Sequence, residues 1–256
     1  MIKICDSFAS TSRNLGNKLF TYALARILSE ELSLNVILPK DCFVQRCGVV
    51  ENFPFYSVNN KNDITNPILY VHDLYLYNIG LTNFINNSKN YGILLDGYFL
   101  RYDYIKPYKN FIRSLYNILT KDLKYNEDII IMLRDSNADS TFCLPETYYL
   151  KILSEINFKT LYISFDHYNK HKNLIEKLQK KYNTILLDLN IIELMKEITS
   201  FKTIIACQGT FSFWASFLSN AQTIYWPITT IGPNKNSDIH VNLTVDDESR
   251  YKFINI

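Results

Sequence analysis

Arg134 closes the run Ile129-Ile130-Ile131-Met132-Leu133, a stretch apolar enough to be a buried strand. A guanidinium at the carboxyl end of such a strand is costly to hold unless it faces a cleft or meets a carboxylate. Its planar fork also suits a diphosphate, because it donates two parallel hydrogen bonds. The plainer alternative is a surface pair with Asp135 or Asp139. Further on, "ACQGTFSFWASFLS" reads as a strand end, a turn at Gly209 and a helix whose first turn holds Thr210, Phe211 and Ser212. Backbone N–H groups, hydroxyls and the helix dipole all favour an anion there. An ordinary Thr or Ser cap, with Phe211, Phe213, Trp214 and Phe217 filling a core, is the competing reading. Near the N-terminus, "RNLGNKLFTYALARIL" places Gly16 and Asn17 where a loop tips into a helix. Gly16 lets the backbone approach a ligand, and Asn17 can cap the helix with its side-chain oxygen.

Proton transfer needs a carboxylate or an imidazole at a strand end. Asp73 closes "ILYVHD" and Asp96 closes "GILLD", with Asp6 a weaker third. The sequence does not separate Asp73 from Asp96 as a base, and either can instead stabilise the turn that follows. His72 falls on the opposite face of a regular strand from Asp73. His167 and His171 lie four apart, and solvent-exposed imidazoles are expected rather than metal ligands. No Asp-x-Asp triplet occurs in the chain. Positive potential at a diphosphate must then come from Arg134 and the helix terminus, with no metal expected.

Strands and helices alternate in the elements that must position these groups. "MIKICDSF" reads as a first strand, followed by a helix from about Asn17 to Leu32 and a strand "LNVILP". An irregular Asn-rich segment, 41–66, comes next, then strands "NPILYVHD" and "YGILLDGYF" and a helix over 107–120 with Pro107 near its start. The second half repeats the alternation: strands at "EDIIIML", "KTLYISFD", "NTILLDL", "KTIIACQGT" and "QTIYWP" are separated by helical segments. Such repetition implies α/β architecture with parallel sheets and helical crossovers. Two Rossmann-like lobes, 1–122 and 123–256, with a cleft between them are expected. In open parallel sheets ligands bind beyond the carboxyl ends of strands.

Composition narrows the class. The chain has 256 residues, 47% of them hydrophobic and 20% charged, with a formal charge of +2. This argues against a dedicated nucleic-acid binder, because no basic stripe stands out. No transmembrane run and no signal-peptide h-region are recognised, so a cytoplasmic protein is expected. The five cysteines, at 5, 42, 47, 143 and 207, are odd in number and read as reduced or buried thiols, although Cys42 and Cys47 are close enough for a local bridge. The sequons at Asn86 and Asn242 carry little weight without secretion. No Gly-x-Gly-x-x-Gly follows any strand, which weakens a redox or phosphate enzyme on plain Rossmann lobes.

In this order, the segments resemble the fucosyltransferase superfamily, most closely the family 11 α-1,2-fucosyltransferases. "RNLGNKLFTYALARIL" is similar to that family's opening Gly-x-Leu-Gly-Asn-Gln motif. "LLDGYFLRYDYI" resembles its Gly-Tyr-Phe-Gln segment, and "IIIMLRDSNAD" stands where His-x-Arg-Arg-Gly-Asp is usual. "YISFDH" and "CQGTFSFWASFL" resemble its Phe-Ser-Asp-Asp strand end and Ser-Ser-Phe-Ser-Trp-Trp helix start. The resemblance implies a GT-B fold with an acceptor-side first lobe and a second lobe that binds a nucleotide sugar. It also implies inverting, metal-independent transfer to a glycan hydroxyl, with no cofactor beyond the GDP- or UDP-linked donor. It carries Asn17 over as a cleft residue, Arg134 as the phosphate contact, Asp166 as a carboxylate near the base, and Thr210 and Ser212 at the phosphate end. Asn14 stands for the usual Gly, Lys18 for Gln, Met132 for His, Asp135 for the second Arg, and Ser136-Asn137 for Gly-Asp. Donor sugar therefore stays open between fucose and another deoxyhexose or pentose. A catalytically degenerate nucleotide-sugar- or glycan-binding protein is the alternative.

Overall fold

Short apolar runs become parallel strands throughout the chain, and amphipathic segments between them become crossovers. The computed structural model describes residues 1–5, 15–38, 67–134, 143–229 and 241–256. Asp6, Asn14, the 41–66 segment with Cys42 and Cys47, and residues 135–142 with Asp135 and Asp139 lie outside the described residues. The chain divides after Leu115, one compact unit being built on Met1–Leu115 and a second on the chain from Tyr116 onward.

The first unit contains β1 (Ile2–Ile4), α1 (Leu15–Leu32), β2 (Val36–Ile37), β3 (Ile68–Val71), α2 (Asp73–Ile79), α3 (Leu81–Asn87), β4 (Gly92–Leu95), α4 (Tyr102–Ile105) and α5 (Lys109–Leu115). Its four strands are parallel in the order β2-β1-β4-β3. Ile2, Ile4, Ile93 and Leu95 alternate onto one face and are fully or almost fully buried, with α1 packed on β1. Leu15, Leu19, Ala23 and Ile27 recur every fourth residue along α1 and are all buried. Burial of Leu15 in this stripe extends the helix earlier than expected. Gly16 and Asn17 accordingly lie inside its first turn, and Asn17 is not the N-cap. The helix expected over 107–120 is also interrupted. Pro107 sits in a 3-10 turn (Lys106–Tyr108) between α4 and α5, and a second such turn spans Asn117–Leu119. Proline has no N–H to continue the ladder.

The second unit contains β5 (Tyr125–Leu133), α6 (Glu146–Glu155), β6 (Leu161–Phe165), α7 (Tyr168–Lys181), β7 (Thr184–Leu187), α8 (Ile191–Ile198), β8 (Phe201–Ile205), α9 (Thr210–Leu218), β9 (Thr223–Ile228) and β10 (Tyr251–Asn255). All six strands are parallel, in the order β10-β9-β8-β5-β6-β7. The chain winds outward from β5 to β7 on one side and from β8 to β10 on the other. This is the doubly wound arrangement, and its order reverses between β5 and β8. Both faces of β5 are covered, so Ile129 through Leu133 are all buried, which explains the unbroken apolar run. Ile129, Ile131 and Leu133 pack with Leu161 and Ile163 beneath α6 and α7.

Strand β10 escapes sequence reading because "YKFIN" is short, sits at the sheet edge and carries a lysine. It is fastened by Arg250. The guanidinium donates to the carbonyls of Ser219 (2.5 Å) and Phe217 (3.0 Å), which end α9, while its Nε donates to Glu248 at 2.6 Å. Among the described residues, no helix is long and apolar enough to cross a membrane. Arg250→Ala is expected to destabilise the fold by about 2–3 kcal/mol, since it strips charge-assisted bonds from a helix end. Denaturant unfolding checks this, and a change below half a kcal/mol in order of magnitude would show the cap to be dispensable.

Candidate functional site

The switch point between β5 and β8 gathers the expected anion-binding residues. Arg134 leaves the end of β5, and Cys207, Gln208 and Gly209 leave the end of β8. The Arg134 guanidinium lies directly against the second segment. Its Nη1 reaches toward the Gln208 carbonyl at 3.5 Å, and a Cβ placed on Gly209 would fall 1.8 Å from that same nitrogen. Gly209 also has φ +107 and ψ 173, a conformation essentially reserved for glycine. Sterics and backbone geometry thus impose the same residue, and the Arg134 side chain occupies the space that results. Among the described residues, Arg134 has no carboxylate partner. Asp135 and Asp139, the surface partners considered for it, lie outside the described residues.

Helix α9 starts at Thr210, directly after this turn, so its first N–H groups and its positive dipole end adjoin the guanidinium. Thr210 is buried and Phe211 half-buried. Ser212 is fully buried, and its hydroxyl accepts the Cys207 N–H at 3.1 Å. It therefore closes the turn from inside. Burial pushes the Cys207 thiol up to about 11, with Arg134 pulling the other way, so this cysteine is a protonated structural group at neutral pH.

Asp166 follows β6, the strand beside β5, and is exposed. The neighbouring histidines differ from each other. His167 is exposed and precedes α7, as expected of both, but the His171 side chain is only 13% exposed and its Nε2 lies 3.7 Å from Asp166 Oδ1. One turn of α7 brings position 171 back beneath the strand end, a placement that the four-residue spacing alone did not reveal.

In the first unit, the two candidate bases have different surroundings. Strand β3 stops at Val71, and Asp73 opens α2 instead of closing the strand. Its carboxylate accepts the Phe99 N–H at 2.5 Å and the Tyr98 N–H at 3.1 Å. It thereby fastens the loop after β4, where Phe99 takes φ +51 while buried, a conformation uncommon for a bulky residue. Gly97 is needed in this loop, since a Cβ there would sit 2.3 Å from Asp73 Oδ2. The Thr21 hydroxyl, one turn beyond Asn17, donates to the Gly97 carbonyl at 2.8 Å. The first turns of α1, Asp73 and the Asp96–Phe99 segment are thus gathered at one end of the sheet. Asp96 accepts a hydrogen bond from the hydroxyl of Tyr70, a residue 53% exposed, and that bond raises the phenol above its ordinary range. Sequence reasoning missed Tyr70. Its only signal was a polar-tipped residue at an alternate position of a short strand.

No protein-family model matches the chain, and no curated protein matches it in sequence. Among solved structures it is similar to POFUT1 in complex with GDP, at 10% identity and a TM-score of 0.47, covering 85% of this chain and 94% of that one. It is likewise similar to POFUT1 in complex with GDP-fucose, at 9% identity and a TM-score of 0.46, covering 86% and 95% of the two chains.

Asp73→Ala is expected to cost about 2–3 kcal/mol, because two backbone donors lose a charged acceptor and Phe99 loses the contact that holds its backbone. Thermal unfolding reads the loss, and an unchanged melting temperature would show that the loop holds itself.

Proposed function

We propose that this chain is a glycosyltransferase that takes a nucleoside-diphosphate sugar as donor and inverts the anomeric carbon without a metal ion. One observation carries the reading. An arginine with no carboxylate partner among the described residues stands at a doubly wound switch point, against a glycine turn and a helix start. Parallel sheets of this order receive ligands at that place, and the guanidinium and the helix start both favour a phosphate. The order of motifs along the sequence, with its resemblance to fucosyltransferases, supports the same reading.

In the proposed reaction an acceptor hydroxyl oxygen attacks the anomeric carbon as the bond from that carbon to the diphosphate breaks. The electron pair leaves with the diphosphate, and the hydroxyl proton passes to a carboxylate. Arg134 and the first N–H groups of α9 neutralise the departing charge. Thr210 adds a hydroxyl at the phosphate end, while Ser212 shapes the turn through Cys207. Asp166 serves the nucleoside, because an acidic residue ending the second strand of a doubly wound sheet is placed for ribose hydroxyls. Asp96, which accepts the Tyr70 hydroxyl, is assigned as the base, and Asp73, which accepts two backbone N–H groups of the loop after β4, as the residue that fastens that loop. The phosphate grip does not discriminate between GDP and UDP, nor between fucose and another deoxyhexose or pentose.

The test is a panel of GDP- and UDP-linked sugars offered with a range of glycan acceptors, with and without a chelator. Turnover of one donor is expected to be indifferent to chelator and to fall about 100-fold or more in Arg134→Ala. Asp96→Asn is expected to lower kcat by about 100-fold or more while leaving donor affinity near that of the unmodified protein. A manganese requirement would contradict the mechanism. Donor binding with no turnover on any acceptor would instead favour the degenerate binding protein.

A further inference from the structure

Two tyrosines on α6 tie together the strand ends from which Arg134 and Gly209 emerge. Pairing between β5 and β8 ends at Ile131 and Ile205. Met132 is the next residue of β5, and Ala206 directly follows the last residue of β8. The Tyr149 hydroxyl donates to the Met132 carbonyl at 2.9 Å, and the Tyr148 hydroxyl donates to the Ala206 carbonyl at 3.0 Å and the Tyr225 carbonyl at 3.1 Å. Both side chains are buried, and burial raises both phenols well above their usual range, so they stay protonated and act as donors. Their rings meet edge to face at 4.9 Å. Adjacent residues of one helix thus hold carbonyls on both sides of the point where the two strands part.

This arrangement does more than satisfy buried carbonyls. Arg134 lies two residues beyond Met132, and Gly209 lies three beyond Ala206. The separation of these two groups depends on how far the strand ends spread. A guanidinium must meet the helix start at a fixed distance to share one diphosphate, and a shift near 1 Å loses much of such a contact. We infer that Tyr148 and Tyr149 are positioning residues that set the width of the anion-binding crevice between Arg134 and the Gly209 turn. This rests on the nucleotide reading for the identity of the ligand, but not for the clamp itself.

Phenylalanine keeps each ring and removes only the hydroxyl, so Tyr148→Phe, Tyr149→Phe and the double variant are the informative changes. Tyr182→Phe is the control, because its hydroxyl reaches Leu153 at 3.5 Å and touches neither strand end. Two readouts are taken on each protein: GDP and UDP affinity by calorimetry, and the alkylation rate of Cys207 by peptide-resolved mass spectrometry. Cys207 directly follows Ala206, so its labelling reports the strand end without any nucleotide. The double variant is expected to bind the preferred nucleotide about tenfold more weakly, the scale of one misaligned charged contact, and Tyr148→Phe to label Cys207 severalfold faster. Tyr182→Phe should change neither. A lowered melting temperature with nucleotide affinity within twofold of the unmodified protein would reduce the tyrosines to packing residues and overturn the inference. Should the unmodified protein bind neither nucleotide, the functional reading fails, and faster Cys207 labelling would still support the clamp while unchanged labelling would overturn it.

Discussion

The approach of the Arg134 side chain to Gly209 constrains both strand ends at once. A guanidinium sits where any other residue at position 209 would place a Cβ, and the glycine takes a backbone conformation that other residues avoid. Strand β5 must deliver an arginine to this point, and β8 must deliver a turn without a side chain. Apolar burial along both strands fixes their register, so Ile131 pairs with Ile205 and the two ends emerge side by side. The helix start that follows adds its N–H groups at the same place. A cation and a dipole end held together in this way repel one another modestly, and an anion relieves that repulsion.

The first unit divides its carboxylates by environment. Asp73 has both oxygens on backbone N–H groups of the loop it supports, and that loop contains a buried phenylalanine with positive φ. Asp96, on the same loop, accepts a bond from a phenol at the surface. Two aspartates that look equivalent at strand ends thus differ in what else they must do. Asp73 fastens a backbone loop, whereas Asp96 is bonded to a side-chain hydroxyl. Asn17 belongs to this assembly through α1, whose Thr21 is bonded to Gly97.

The alternation of strands and helices was legible because parallel strands buried on both faces are runs of apolar residues, as at Ile129–Leu133. The residues at the strand ends were legible for a related reason. Arg134, Asp166 and Gly209 are polar or glycine residues set abruptly after such runs. Less legible was anything decided by tertiary contact. The start of α1 shifts because Leu15 joins a buried stripe, and Pro107 divides a segment whose periodicity reads as continuous. His171 turns inward toward Asp166 although its neighbours along the helix are solvated. The hydroxyl bonds of Tyr148, Tyr149 and Tyr70 link residues far apart in sequence, and nineteen tyrosines give no hint which of them face a strand end. Edge strand β10 depends on Arg250 reaching the end of α9, a long-range bond without a local signature.

In the proposed reaction a diphosphate lies between Arg134 and the first turn of α9. A crystal structure of the protein with a bound nucleoside diphosphate tests this most directly. Phosphate oxygens within hydrogen-bonding distance of the guanidinium and of the backbone N–H groups beginning at Thr210, with no ion between them, are the expected result. A diphosphate seated elsewhere on the chain, or bridged to it by a divalent cation, would contradict it.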